Sequence, residues 1–396
     1  MMQPPKILQV IPALETGGAE RTALDIGDAI IAKGWTSLIA SSGGRMIDQL
    51  TDSGNQHYLL PLSSKNPFTI WRNGNRLASI IEQENIDIIH ARSRAPTWSA
   101  LIAARRTGIP FVTTYHGSYN QRSRLKALYN SVMARADVVI ANSGWTGDLI
   151  ASRNPWAKDR IVVIHRGTDF AHFSKQAISK QRLEALRQKW SLTDEHIPIV
   201  QLARLTGWKG QETVIEAASK IVEGFPNARF ILAGDEQGRS NYLSRLKQRI
   251  AEFGLQDHVL LPGHCDDPAA AMALSELVVV ASTQAEAFGR AAVEAGALEI
   301  PVIVSDIGAV QETVLAPPAV AEDRITGWKV SPGDSDDLAQ SLRHALGLTP
   351  KQRREIGKRA RKRGQSNFSL QQMCEKTMAI YEDLLASSGK NQSPNV

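Results

Sequence analysis

Short β-branched runs alternate with amphipathic helical stretches along nearly the whole chain, and this alternation restricts the fold more than any other feature. In the first half KILQVI, TSLIAS, HYLLPL, IDIIH, FVTTY, DVVIAN and IVVI read as strands, separated by helical patterns over residues 19–33, 70–84, 97–107 and 123–134. In the second half IPIVQLA, RFILAG, HVLLPG, LVVVAS, PVIVS and GWKVS read as strands, with helices at 209–223, 239–253, 289–298, 335–347 and 350–363. Strands that are apolar on both faces, each followed by a helix, assemble as parallel sheets through βαβ units. The pattern restarts near Ile197, after the charged stretch SKQRLEALRQKWSLTDEH. The expected fold class is α/β, with two similar domains facing each other, residues 1–180 and 181–368. A length of 396 residues suits two cores better than one.

Composition excludes several classes. Apolar residues make up 42% and charged residues 22% of the chain, as in soluble globular proteins. The longest apolar runs are strand-sized, well below the roughly 20 residues of a membrane span. The start, MMQPPKILQVIP, has too short an apolar run for a secretory signal. Cys265 and Cys374 form no CxxC and no disulfide framework, which agrees with a cytoplasmic protein. Residues 1–180 carry 21 Lys and Arg against 13 Asp and Glu, a balance of +8, whereas the remainder stands at −2. A basic first half suits an anionic partner, although solvated surface charge gives the same count. The basic residues lack a nucleic-acid reader motif, so nucleic acid is not an expected partner.

In doubly wound sheets ligands bind beyond the carboxyl ends of the strands, so residues just after strands are the candidates. PALETGGAER follows the first strand, and Gly17 and Gly18 open the first helix, where backbone can approach a ligand and free amides favour an anion; taken alone, Gly-Gly is more often just a turn. The nicotinamide fingerprint GxGxxG is absent. HARSRAP follows the fourth run, and His90, Arg92 and Arg94 are candidate contacts for an anionic acceptor, or a surface loop. TYHGSYN follows the fifth, placing His116 where it can reach a sugar hydroxyl or a phosphate, or serve structure alone. In the second half ARLTGWKGQE puts Arg204 and Lys209 on the first strand-to-helix loop, a fork and a point charge suited to phosphates. EAFGRAAVEAG follows LVVVAS and carries Glu286 just before a helix start near Gly289, with Glu294 about one and a half turns into that helix. Paired carboxylates serve hydrolysis in glycosidases; they also bond sugar hydroxyls.

These stretches together resemble the retaining glycosyltransferases of family 4, formerly group 1, with the GT-B fold of two facing Rossmann-like domains around an interdomain cleft. The resemblance rests on GGAE at 17–20, His116 in YHG, VIHRGTDFAHF at 163–173, RLTGWKG at 204–210, AGDE at 233–236 and EAFGRAAVEA at 286–295, in order over about residues 6–386. It implies that Arg204 and Lys209 hold the donor diphosphate and that Glu294 bonds the ribose. Glu286, with Ala287 and the amides around Phe288, Gly289 and Arg290, would hold the transferred sugar and its phosphates. Gly17 and Gly18 would lie against the diphosphate and acceptor, and His116 would face the donor sugar. The implied catalytic set is His116, Arg204, Lys209 and Glu286, with no cofactor and no metal, because positioned cations and helix amides can neutralise the departing diphosphate. The lone DxD, Asp334-Ser335-Asp336, precedes a helix and reads as capping chemistry. VIHRGTD stands where VIPNGVD is frequent, and Ala287 where Gly or Pro is common.

The resemblance further implies that the last helix, residues 369–386, returns to the first domain, and Leu370, Met373, Met378, Ile380, Tyr381 and Leu384 supply its apolar side. Residues 387–396 are expected to be a disordered tail. NQRSRLKALYNSVMAR mixes Arg122, Arg124, Lys126 and Arg135 with Leu125, Leu128 and Tyr129, which suits an anionic membrane surface as well as an ordinary solvated face. The expected function is a cytoplasmic transferase, peripheral to the inner membrane face. It would move sugar from a nucleotide diphosphate sugar to an anionic lipid-linked or glycan acceptor, such as lipopolysaccharide. A nucleotide-sugar epimerase of similar architecture and a non-catalytic sugar-nucleotide sensor are the alternatives; transfer of labelled sugar separates the first reading from both.

Overall fold

The computed structural model describes residues 3–15 and 17–390, and the chain forms two compact units, one of residues up to Gly167 together with those from Leu370 onward, the other Thr168–Ser369. The first unit holds seven strands, β1 (Lys6–Val10), β2 (Thr36–Ser41), β3 (Gln56–Leu59), β4 (Ile88–Arg92), β5 (Phe111–Tyr115), β6 (Val138–Ala141) and β7 (Ile161–Val163). Their order is β3-β2-β1-β4-β5-β6-β7, parallel throughout. The second unit holds β8 (Ile197–Leu202), β9 (Ala228–Ala233), β10 (Val259–Leu260), β11 (Leu277–Val280), β12 (Val302–Ser305) and β13 (Trp328–Val330), in the order β10-β9-β8-β11-β12-β13, again parallel. Both sheets reverse their order beside the first strand of the unit, the switch point at which doubly wound sheets bind ligands.

The alternation of side chains along each strand explains why the runs are apolar without a break. In the second unit Ile199, Phe230, Leu232, Val279 and Ile303 pack on one face of the sheet, and Val200, Ile231, Val278, Val280 and Val304 on the other. The first unit likewise buries Leu8, Leu38 and Ile89 on one side and Ile7, Ile88, Val112 and Ile140 on the other. That second side is closed by Met373, Met378, Ile380 and Tyr381 of the helix Leu370–Lys390, as the family resemblance implied for the last helix. This helix runs on to Lys390, so residues 387–390 are not part of a tail; residues 391–396 lie outside the described residues.

The domain boundary differs from the one expected at 180/181. Phe173, Ile178, Leu186 and Trp190 are buried in the second unit's core, so the charged stretch before Ile197 is a helix of that unit, Lys180–Lys189, capped by Ser179. Its hydrophobic pattern is sparse because only Leu186 of the helix is buried. Gly144–Arg153 and Pro268–Leu274 are further helices that lack a clear 3.6-residue period, one for its glycines and the other for its run of alanines.

Candidate functional site

In the second unit, close backbone approach brings together the loops after β8 and β11. A Cβ on Gly210, at φ 70°, would lie 1.9 Å from the Ala281 carbonyl oxygen, so only glycine lets these segments touch. Thr283 N donates to Trp208 O at 2.8 Å, and Gln201 on β8 donates from Nε2 to Lys209 O at 2.7 Å. The Lys209 side chain is thereby aimed at Glu286, with Nζ 2.5 Å from Oε1 and the ammonium 4.3 Å from the Trp208 ring centroid. Ser282 Oγ donates to the same Glu286 oxygen at 2.5 Å. Glu286 is held from behind, since Ala309 N donates to its carbonyl at 2.9 Å.

Gly289, at φ 81°, turns the chain into the helix Arg290–Ala297. One turn in, Arg290 grips Glu294 Oε1 from Nε at 2.8 Å and Nη2 at 2.5 Å, an i,i+4 pair whose carboxylate belongs to a residue only 7% exposed. The two ion pairs line one pocket of about 170 Å³ with Gln201 and Ser282. Its chemistry is mixed: cations that can turn to phosphate oxygens, and carboxylates that can accept from hydroxyls.

Of the residues singled out from sequence, Lys209, Glu286, Arg290 and Glu294 meet in this pocket. Arg204 is exposed on the same loop, outside the pocket lining, and its carbonyl accepts from Gln211 Nε2 at 3.0 Å. Ala287 is half-buried between Glu286 and Phe288. The Phe288 side chain is buried against Phe368, with centroids 5.5 Å apart and planes at 82°, so it supports the loop whose backbone amides are the candidates. Gln201 and Ser282 were not anticipated. Gln201 had a readable signal, an amide inside the aliphatic run IPIVQLA; its Oε1 is buried without a partner. Ser282 had none.

In the first unit His90, Arg92 and Arg94 do not form an exposed cationic loop, because β4 continues through Arg92 and draws two of them into the core. His90 is fully buried, with Nδ1 2.6 Å from Tyr381 Oη and Nε2 2.7 Å from Thr114 Oγ1, so neither nitrogen is left for an acceptor. Arg92 is buried against Gln9. Arg94 donates to Asn130 Oδ1 at 2.9 Å and lies 4.4 Å from the Tyr119 ring centroid. His116, just past β5, stands with Nε2 3.5 Å from Arg92 Nη1. Burial pushes both His90 and His116 well below the ordinary imidazole range, reinforced at His116 by Arg166 and Arg92. Gly17 caps the helix Gly18–Ala32 in extended conformation, and the Glu20 carboxylate folds into the space a Cβ would need. Asp334 caps Ser335–Gly347, accepting from the amides of Asp336 and Asp337, while Lys220 pairs with Asp336. Among the described residues no group of three or more His, Cys, Asp or Glu is placed to hold a metal.

Comparison with known proteins places these features in context. Residues 16–172 match the family described as Glycosyltransferase Family 4, and residues 183–363 match Glycosyl transferases group 1. A crystal structure of a glycosyltransferase from Rickettsia africae is 33% identical, covering 97% of this chain and 99% of its own, at a TM-score of 0.87. Anabaena HepE, solved with UDP-glucose, is 23% identical over 96% of this chain and 99% of its own, at a TM-score of 0.80. The N-acetyl-alpha-D-glucosaminyl L-malate synthase of Bacillus anthracis is 24% identical over 78% of each chain.

Proposed function

The chain belongs to the GT-B glycosyltransferases of family 4, and from that premise we propose that it transfers a sugar, with retention and without a metal, from a nucleotide diphosphate sugar to a membrane-attached acceptor. The observation that carries the donor reading is the pocket in which Lys209–Glu286 and Arg290–Glu294 stand side by side at the carboxyl ends of β8 and β11. Lys209 and the exposed Arg204 take the diphosphate, Glu294 the ribose hydroxyls, and Glu286 the transferred sugar. In the transfer the bond from the anomeric carbon to the phosphate oxygen breaks and the acceptor oxygen bonds to that carbon. The acceptor proton passes to the leaving diphosphate, whose charge the cations stabilise. The UDP-glucose held by the Anabaena protein supports the donor class.

The acceptor reading rests on the surface of the first unit. Phe68 and Leu125 are 67% and 81% exposed, with Trp71 and Leu128 also exposed. They stand on helices beginning at Pro67 and Arg124, among the exposed cations Lys65, Arg72, Arg122, Arg124 and Lys126. Apolar anchors ringed by positive charge suit the headgroup region of an anionic leaflet, hence a lipid-linked or lipopolysaccharide-type glycan. No helix among the described residues is long and apolar enough to cross a membrane.

The test is a thermal-shift screen of UDP-, GDP-, ADP- and CMP-sugars with EDTA present, beside Glu294→Ala and Arg204→Ala. A rise with one nucleotide class, lost in both variants, supports the pocket and names the base; no rise with any class, with or without added envelope lipid, rejects it. Transfer of labelled sugar to that lipid then reads the acceptor.

A further inference from the structure

The second unit also has a cavity of about 370 Å³ at the opposite end of its sheet from the pocket of Lys209 and Glu286. Glu276 and Pro301, the residues just before β11 and β12, lie in its wall, whereas Val280 and Ser282 line that other pocket. At about 3.3 Å per residue, the run from Glu276 to Ser282 keeps the two about 15–20 Å apart. Lys175, Arg187, Arg353 and Arg354 line the cavity with two carboxylates, Glu276 and Glu299, an excess of two positive charges. Only one of these cations is fully engaged by the fold. Arg353, 8% exposed, donates to Glu276 Oε2 from Nε at 3.2 Å and Nη2 at 2.9 Å, and its Nη1 reaches the carbonyls of Ala345, Leu346 and Leu348. The others stand nearer solvent. Lys175 pairs with Glu299 at 2.9 Å, Arg187 with the exposed Asp194 at 3.1 Å, and Arg354 with no carboxylate among the described residues. Water screens such pairs, which leaves them open to a stronger anion. The helix Pro350–Asn367 begins with Lys351, Arg353 and Arg354 and has no acid in its first turn, so cations crowd the positive end of its dipole.

Glu299 departs from a local rule to reach this wall. The helix Arg290–Ala297 ends in a Schellman turn, in which Ile300 N donates to Ala295 O at 3.0 Å and Glu299 N to Gly296 O at 2.9 Å. Glu299 takes the left-handed position of that turn, at φ 60°, where glycine is the favoured residue. The turn would form more easily without this side chain, and the carboxylate it places lies in the cavity. The wall then selects a ligand. Its cations suit phosphate oxygens, and its carboxylates accept from hydroxyls. Leu183, Leu274, Ile300 and Pro301 cover much of the rest, and among the described residues no aromatic ring lines the cavity for a nucleobase to stack on. A phosphate monoester near neutral pH carries close to two negative charges, matching the excess. The volume is at the small end of ligand cavities, enough for one sugar ring. We propose that this cavity binds a phosphorylated monosaccharide, its phosphate on Arg187 and Arg354 and its hydroxyls on Glu299, at a site separate from the one that takes the nucleotide sugar.

The experiment is calorimetry on the full chain with glucose 6-phosphate, glucose 1-phosphate and mannose 6-phosphate, beside inorganic phosphate and glucose. At least one sugar phosphate should bind with a Kd below about 1 mM. Inorganic phosphate should bind about tenfold more weakly or less, and glucose should give no heat. Glu294→Ala should leave the sugar-phosphate Kd within about twofold, whereas Arg354→Gln should raise it about tenfold. Glu299→Gly should raise it by a similar factor while the melting temperature holds or rises, since glycine relaxes the turn. No binding by any of the three sugar phosphates overturns the proposal. Binding abolished by Glu294→Ala also overturns it, because the ligand would then sit in the other pocket, and so does binding that neither Arg354→Gln nor Glu299→Gly weakens. Inorganic phosphate binding as tightly as the sugar phosphates overturns the assignment of a sugar. The nucleotide-sugar screen is read on other ligands, so the two assignments fail independently.

Discussion

Lys209 and Glu286 meet at 2.5 Å, although 77 residues separate them, and their side chains are only 16% and 13% exposed. Removing one partner strands a largely desolvated charge. Lys209→Met and Glu286→Gln should each lower unfolding stability by about 1–3 kcal/mol, and the double variant should lose less than the sum. Urea denaturation of all four proteins closes the cycle. Additive losses would show that the pair is not coupled in the empty protein. Each single variant should also lose about a hundredfold or more in transfer rate.

Glu294 and Glu286 are read as serving different parts of one ligand, and calorimetry can separate them. Glu294→Ala should weaken binding of the nucleoside diphosphate and of its sugar conjugate alike, by about 10–100-fold. Glu286→Ala should penalise the sugar conjugate and leave the sugar-free nucleotide close to wild type. Equal effects of the two variants on both ligands would refute the division of labour.

Two imidazoles, His90 in the core and the half-buried His116, make stability depend on pH. His90 and His116 are held well below their ordinary value, chiefly by burial. The unfolded chain therefore binds protons that the folded chain refuses once pH falls below about 6.5. Their contribution is fully present above that pH and is lost as pH drops beneath it, by up to about 1.4 kcal/mol per histidine per pH unit. Urea midpoints should hold level from about pH 8 to 7 and fall below 6.5. Replacing His116 with Asn should flatten part of that fall.

The DSD sequence should matter for stability and not for chemistry. Asp334→Ala removes two bonds to helix amides and should cost about 1 kcal/mol, with transfer activity unchanged and EDTA without effect. Loss of activity restored by a divalent cation would restore the metal reading.

Much of the fold was legible because both faces of each sheet are buried. Every run read as a strand, from KILQVI to GWKVS, is one, although HYLLPL stops pairing at Leu59 and HVLLPG contributes two residues. The second unit's loops were equally readable, since Lys209, Glu286 and Glu294 follow strands and helix starts that the pattern defines. What sequence could not supply is pairing across space. Nothing in EAFGRAAVEAG says that Glu286 pairs with Lys209. The grouping of His90 with Arg94 failed by a strand end displaced two residues, enough to turn a surface loop into core. A sharper signal was present in both units: a glutamine one residue before the end of the first strand, Gln9 and Gln201, each donating to a backbone carbonyl. An amide in an aliphatic strand marks a spot where backbone and site chemistry are tied together.

The return of the helix Leu370–Lys390 to the first unit has a consequence for biosynthesis. Ile7, Ile26, Ile30, Ile88, Val112 and Ile140 leave the ribosome long before Met373, Met378, Ile380 and Tyr381, which cover them. The nascent first unit must wait with an open apolar face while the second unit, contiguous in sequence, is made and can close its own core. The half of the protein translated first is therefore the half that finishes folding last, and release from the ribosome gates its maturation.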